Sequence, residues 1–288
     1  MAKRDDTQTG PGGVPITQMS PTHNFAKAIQ VWMGRPKIGK TSTAASLGEV
    51  AKEYNLPFNP FFLLFEPGTG GVTLNGSSQK CQGCGGSGKS GKAKCHECGG
   101  TGVTRLILSD LDKIHEWFDW AAKSSFNPIV IDTMDAMYQA VMDGVCVKQG
   151  ITTPYGANDN GISWVLISDA IRELVSKLIA ADKGIIFLMH IVMQRKRVRG
   201  GEMEVCTFNV PGRARQYLTQ VANQILHFDV VPHPKDDRDI RVVHGKPQAG
   251  IEAGDQWGVM PEELELGNSP KEAAEALLTT WGYLEEGK

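Results

Sequence analysis

AIQVWMGRPKIGKT, Ala28 to Thr41, is the stretch on which the fold turns. Its first half, Ala28–Met33, is a short apolar run of the kind that forms a buried strand. Its second half, Gly34–Thr41, matches the pattern G-x-x-x-x-G-K-[ST]. The next residues, TSTAASLGEVAKEY, set Ala44, Leu47, Val50 and Ala51 on one helical face. A strand entering and a helix leaving is what a phosphate cradle needs, because backbone N–H groups and a helix N-terminus then converge on one anion. The expected nucleotide site is therefore Gly34, Arg35, Pro36, Lys37, Ile38, Gly39, Lys40, Thr41 and Ser42. Lys40 would reach the β- and γ-phosphates and Thr41 would ligate Mg²⁺, with ATP as the default nucleotide.

A second match to the same pattern, GCGGSGKS at Gly83–Ser90, lacks both flanks. It follows NGSSQKCQ and leads into GKAKCHEC, neither of which has an apolar face. It belongs to a different device. Cys81 and Cys84 form one C-x-x-C pair and Cys95 and Cys98 another, a spacing suited to one tetrahedral Zn²⁺ held by four thiolates. Each pair continues as C-x-x-C-x-G-x-G, and the glycines let the backbone curl back under the sulfurs. Over these residues the chain resembles the zinc-binding repeat of DnaJ-type cochaperones. Four cysteines leave no open coordination position, so the metal is expected to be structural, with His96 outside the ligand set.

The rest of the chain extends an α/β pattern. FFLLF (Phe61–Phe65), TRLILSD (Thr104–Asp110), PIVIDT (Pro128–Thr133) and IIFLMH (Ile185–His190) read as strands. LDKIHEWFDWAAKS, capped by Ser109 or Asp110, and ISWVLISDAIRELVSKLIAADKG read as helices. Apolar strands alternating with helices imply a mostly parallel sheet covered on both faces. Beyond His190 the sequence turns hairpin-like, VMQRKRV then RGGE then MEVCTFNV, and QILHFDVV and DIRVVHGK suggest further strands. Ser269-Pro270-Lys271-Glu272 opens a last helix with a capping box and proline at its first position. Residues 1–23 read as a flexible tail, 24–288 as the core, and 80–102 as a zinc-binding insertion within it.

With 41% hydrophobic and 22% charged residues and a net charge of −2, the chain has an ordinary globular balance, so any basic surface must be local. No apolar run nears the roughly 20 residues of a membrane span, and the start lacks a signal-peptide core; a cytoplasmic protein is expected. Hydrolysis of a nucleotide needs a Mg²⁺ anchor, a group that polarises water and a sensor of the γ-phosphate. Asp132, ending PIVIDT, fits the anchor, against a competing reading as a helix cap. Glu66 and His190 close their strands and are candidates for the other two roles, against readings as a turn residue and a satisfied histidine.

The order GRPKIGKT, Glu66, IVIDT, FLMH resembles the RecA-like core. The chain is similar above all to phage-encoded RecA-like proteins of single-strand annealing and recombination, over roughly residues 26–265, with GKPQAGIEAGDQWGVMPEEL as their closing segment. The resemblance implies that Glu66 activates water and that His190 links nucleotide state to a DNA-binding loop. It also implies single-stranded DNA, a ring or filament of identical subunits and a single-stranded-DNA-binding protein as partners, in the cytoplasm of a phage-infected bacterium. Lys246 would complete a neighbour's site. The inserted zinc module and the missing RecA terminal domains depart from the pattern. Phe25-Ala26-Lys27-Ala28 matches the F-x-x-A peptide that links recombinase subunits, against a buried phenylalanine as the alternative.

The segment Gln194–Arg215 carries six cations against two carboxylates, a local +4, with Arg195, Lys196, Arg197 and Arg199 as the expected DNA contacts. Cys146–Gly161 would be a second DNA-facing loop, with Tyr155 placed to stack on a base. The zinc module adds Lys80, Lys89, Lys92 and Lys94 against Glu97, and would extend the DNA or subunit surface. The alternative function is a replication or packaging accessory ATPase, similar to a helicase loader, acting on protein partners.

Overall fold

The computed structural model describes residues 23–67, 72–91, 93–98, 100–155, 158–198, 201–233 and 238–285. The expected tail therefore lies outside the described residues apart from His23, as do Lys92 and Arg199.

The apolar runs form the middle of one sheet. β1 (Ile29–Gly34) leads through the glycine-rich loop into α1 (Lys40–Tyr54), and β2 (Phe61–Leu64) follows. β3 (Ser78–Lys80), β4 (Lys89–Ser90), β5 (Ala93–Lys94) and β6 (Val103–Arg105) are short and lie outside that sheet. α2 (Leu111–Lys123), β7 (Ile129–Asp132), α3 (Met134–Gln149) and α4 (Ile162–Ala180) come next. β8 (Ile185–Val198), β9 (Gly201–Phe208), α5 (Gly212–Val221), β10 (Gln224–Pro232), β11 (Asp239–His244), β12 (Gly254–Asp255), β13 (Glu263–Glu265) and α6 (Pro270–Thr280) complete the chain.

The strand order is β13-β11-β10-β1-β8-β7-β2, with β10 through β2 parallel and β11 and β13 added antiparallel. Side chains alternate across this sheet. Val31 and Met33 enter a core shared with α2, α3, α4 and α5, while Trp32 enters one shared with α1 and α6. β2 and β7 are buried along their full length. Helices on both faces explain why these strands read as unbroken apolar runs.

Helix ends follow the local chemistry. Asp110, not Ser109, caps α2, its Oδ1 accepting the Lys113 N–H at 2.9 Å. The capping box at α6 forms as written, Ser269 Oγ accepting the Glu272 N–H at 3.1 Å.

Four expectations are corrected. Thr104–Asp110 is not a core strand: only Val103–Arg105 is extended, and it pairs with β3 as the stem of the cysteine segment. The Cys146–Gly161 loop is shorter than expected, because α3 continues to Gln149 and Gly150 in a left-handed conformation ends it. Arg213 and Arg215 lie on α5, which the hairpin reading missed. Phe25 of the F-x-x-A peptide is 2% exposed and stacks on Trp281 of its own chain at 5.2 Å, so it takes the alternative reading. Among the described residues no helix is long and apolar enough to cross a membrane.

Candidate nucleotide and metal sites

The loop between β1 and α1 curls because Lys37 and Gly39 adopt positive φ, 64° and 104°. No side chain caps α1 at Gly39, so the N–H donors of its first turn remain for an anion. Lys40 is buried and its ammonium donates to the carbonyls of Gly34 at 2.9 Å and Arg35 at 3.0 Å. Burial pushes its pKa down to about 8, against the attraction of Asp135, Asp132 and Glu66.

Parallel pairing of β7 with β8 and β2 brings the strand ends to this loop. Thr41 Oγ1 donates to Asp132 Oδ2 at 3.1 Å. Burial pushes the Asp132 carboxyl up to about 6, held back by that hydroxyl. A desolvated carboxylate beside a threonine hydroxyl is a donor set that suits a hard divalent cation. Thr133 Oγ1 lies 2.5 Å from Glu66 Oε1 and 3.3 Å from Asp135 Oδ2, giving its one proton to the nearer oxygen. His190 sits 2.5 Å from Asp135 through Nδ1, while its own backbone N–H donates to the other Asp135 oxygen at 3.0 Å. The Asp135 hydrogen bond raises the His190 pKa, and Glu66 Oε1 stands 4.0 Å from the ring. A cavity of about 440 Å³ is lined by Pro36 to Ser42 with Glu66, Asp132, Thr133 and His190.

The structure thus gathers Lys40, Thr41, Asp132, Glu66 and His190 around one space. Sequence reasoning missed Asp135 and Thr133. Thr133 caps α3 and Asp135 sits in its first turn, so a T-x-D step after the apolar strand was the available signal.

The four cysteines also converge. Their sulfur atoms lie within 4.8 Å of one another, with Cys81–Cys95 at 3.8 Å and Cys84–Cys98 at 3.7 Å. Four thiolates at about 2.3 Å from a tetrahedral Zn²⁺ are about 3.8 Å apart, so the set fits that ion. Gly88 N–H donates to Cys84 Sγ and Gly102 N–H to Cys98 Sγ, each at 3.3 Å, as expected for sulfurs carrying negative charge. The two turns interlock: a Cβ on Gly88, at φ 72°, would stand 2.4 Å from the Gly100 carbonyl oxygen. No helix follows Gly83–Ser90; the chain goes directly into the β4–β5 hairpin.

β8 continues past His190 and pairs with β9 as a hairpin in which Arg195 faces Glu204 and Arg197 faces Glu202. Arg195 is 74% exposed and lies 3.6 Å from Glu204. Arg215 does not join this surface: its side chain is 15% exposed and paired with Glu252 at 2.7 Å. Tyr155 is 80% exposed and touches Trp164 edge-on at 4.8 Å. Lys246, exposed, follows β11.

A chain with this loop, a parallel sheet covered on both faces and acidic strand ends has the α/β core of a P-loop ATPase. Residues 26–257 match the family described as AAA domain, and the chain belongs to it. No curated protein matches the chain. Among solved structures, a KaiC-like protein from the hyperthermophilic archaeon Pyrococcus horikoshii OT3 is similar at 11% identity and a TM-score of 0.43, over 85% of this chain and 87% of that one.

Proposed function

We propose that this ATPase hydrolyses ATP while assembled on single-stranded DNA, in phage recombination, annealing or repair in the cytoplasm of the infected bacterium. The observation that carries the reading is the continuity of β8, which holds His190 in the phosphate cavity and, five residues on, Arg195 on the exposed hairpin. Lys40 exchanges its two loop carbonyls for the β- and γ-phosphates. Thr41 and Asp132 hold Mg²⁺, which neutralises phosphate charge when bound. Glu66 orients the attacking water, steadied by the Thr133 hydroxyl. Asp135 positions His190, which reports the γ-phosphate along β8 to Arg195, Lys196 and Arg197, with Arg199 a further DNA contact expected from the sequence.

The cysteine module holds structural Zn²⁺ and widens the basic surface with its lysines. Subunits assemble as a ring or filament with Lys246 reaching a neighbour's site, and a single-stranded-DNA-binding protein is a further partner.

The test measures ATP turnover and binding to labelled oligonucleotide across a salt series. The reading expects DNA-stimulated turnover that Glu66→Gln abolishes while ATP still binds, and a steep loss of DNA affinity with salt. Turnover indifferent to DNA would favour an accessory ATPase acting on protein partners.

A further inference from the structure

We propose that His227, Asp229 and His244 form a second metal site, separate from the four cysteines, that takes a divalent first-row transition ion, with zinc foremost. The sheet register builds it. His227 on β10 pairs directly with His244 on antiparallel β11, and Asp229 lies two residues along β10 from His227, on the same face. Their donor atoms lie within 4.8 Å of one another.

Both imidazoles are buried, at 3% and 4% exposure, and each has one nitrogen without a hydrogen-bond partner: Nδ1 of His227 and Nε2 of His244. A buried polar nitrogen without a partner is destabilising and calls for an explanation. The opposite ring nitrogens are occupied. Cys206 Sγ stands 3.7 Å from His227 Nε2, and His244 Nδ1 has the Gln248 side-chain amide at 3.4 Å and Glu263 Oε2 at 3.9 Å. A proton on His227 Nε2, and one on His244 Nδ1 directed at the Glu263 carboxylate or at the Gln248 amide oxygen once that amide turns over, leaves each inner nitrogen its lone pair, which is how outer partners orient metal-binding histidines. The Val230 N–H holds one Asp229 oxygen at 2.9 Å and thereby orients the carboxylate.

Two imidazoles and one carboxylate suit Zn²⁺ or a neighbouring first-row ion and leave a position open. β10 also pairs with β1, setting His227 opposite Met33, next to the start of the glycine-rich loop. An ion here would tie β11 to the strand that flanks that loop.

The test strips the full-length protein with a chelator, reloads it with Zn²⁺ and counts metal per chain by mass spectrometry. Asp229→Asn and His244→Gln should each bind one zinc fewer per chain than the unaltered protein. The cobalt–thiolate absorption of Co²⁺-loaded samples, which reports the four cysteines, should stay unchanged. An equal zinc count in the variants overturns the proposal. Should either variant misfold, anomalous scattering from zinc-soaked crystals of the unaltered protein decides. A peak between the rings of His227 and His244 supports the site, and its absence refutes it.

Discussion

Gly34–Thr41 and Gly83–Ser90 obey one sequence pattern and build two unrelated objects. The first sits between a buried strand and a 15-residue helix, and its lysine is buried among carboxylates. The second overlaps the first cysteine pair at Cys84 and runs towards the other pair; its lysine, Lys89, is exposed in a two-residue strand. Glycine and lysine supply flexibility and charge in both. What differs is whether the flanks aim backbone donors at a point or wrap the chain around sulfur. The motif is only as informative as its neighbours.

The largest effect comes from removing the zinc proposed for the second region. Structural zinc contributes about 10–16 kcal/mol of apparent binding free energy in small zinc folds, and the sheets of the module are only two strands each. Combining Cys95→Ser with Cys98→Ser, which leaves Mg²⁺ and the His227–His244 pair alone, should therefore abolish hydrogen-exchange protection between β3 and β6. ATP affinity should change by less than about twofold, because the nucleotide cavity borrows nothing from the cysteines. Coupled loss of both would mean that the two regions are one folding unit.

The exchange of lysines comes next. Lys40→Ala should lower kcat/KM for ATP by about 10²–10³-fold, the usual cost of removing one preorganised charge donor. Lys89→Ala should leave turnover within about twofold. Reversed results in a steady-state phosphate-release assay would overturn the assignment of the two loops.

How much of this was legible follows from the same contrast. The parallel core strands and the first loop could be read because burial on both faces leaves an apolar run, and a run ending in glycine or aspartate marks a strand tip. Asp135 could not, since its role depends on β8 lying beside β7, a pairing between residues 55 positions apart in the chain. The His227–His244 pair was hidden for the same reason: cross-strand neighbours carry no local spacing. Arg215 was misplaced because charge counting ignores Glu252, which folds back to neutralise it.

A smaller effect separates glycines within the second region. Gly88→Ala must hold φ near 72° and press a methyl onto the Gly100 carbonyl, whereas Gly91→Ala, at φ 62°, meets nothing within 4 Å. The left-handed conformation alone costs about 1–2 kcal/mol. Zinc affinity by competition titration should fall more than about 30-fold for Gly88→Ala and less for Gly91→Ala. Equal losses would show that only the conformation matters and that the interlocking of the two turns does not.

The smallest effect is a pH dependence confined to the first region. Asp135 raises the His190 pKa above its ordinary value, so the native state holds that proton more tightly than the unfolded chain does. The resulting stabilisation is fully present below about pH 6.5, the ordinary histidine value, and disappears as pH rises through the native pKa. In the absence of nucleotide, the stability advantage of the unaltered protein over His190→Gln should shrink from pH 6 upward. Asp135→Asn should flatten that difference, whereas Lys89→Ala should leave it intact. Denaturant unfolding at a series of pH values measures it; an advantage that grew with pH would mean that burial, not the Asp135 carboxylate, governs the ring.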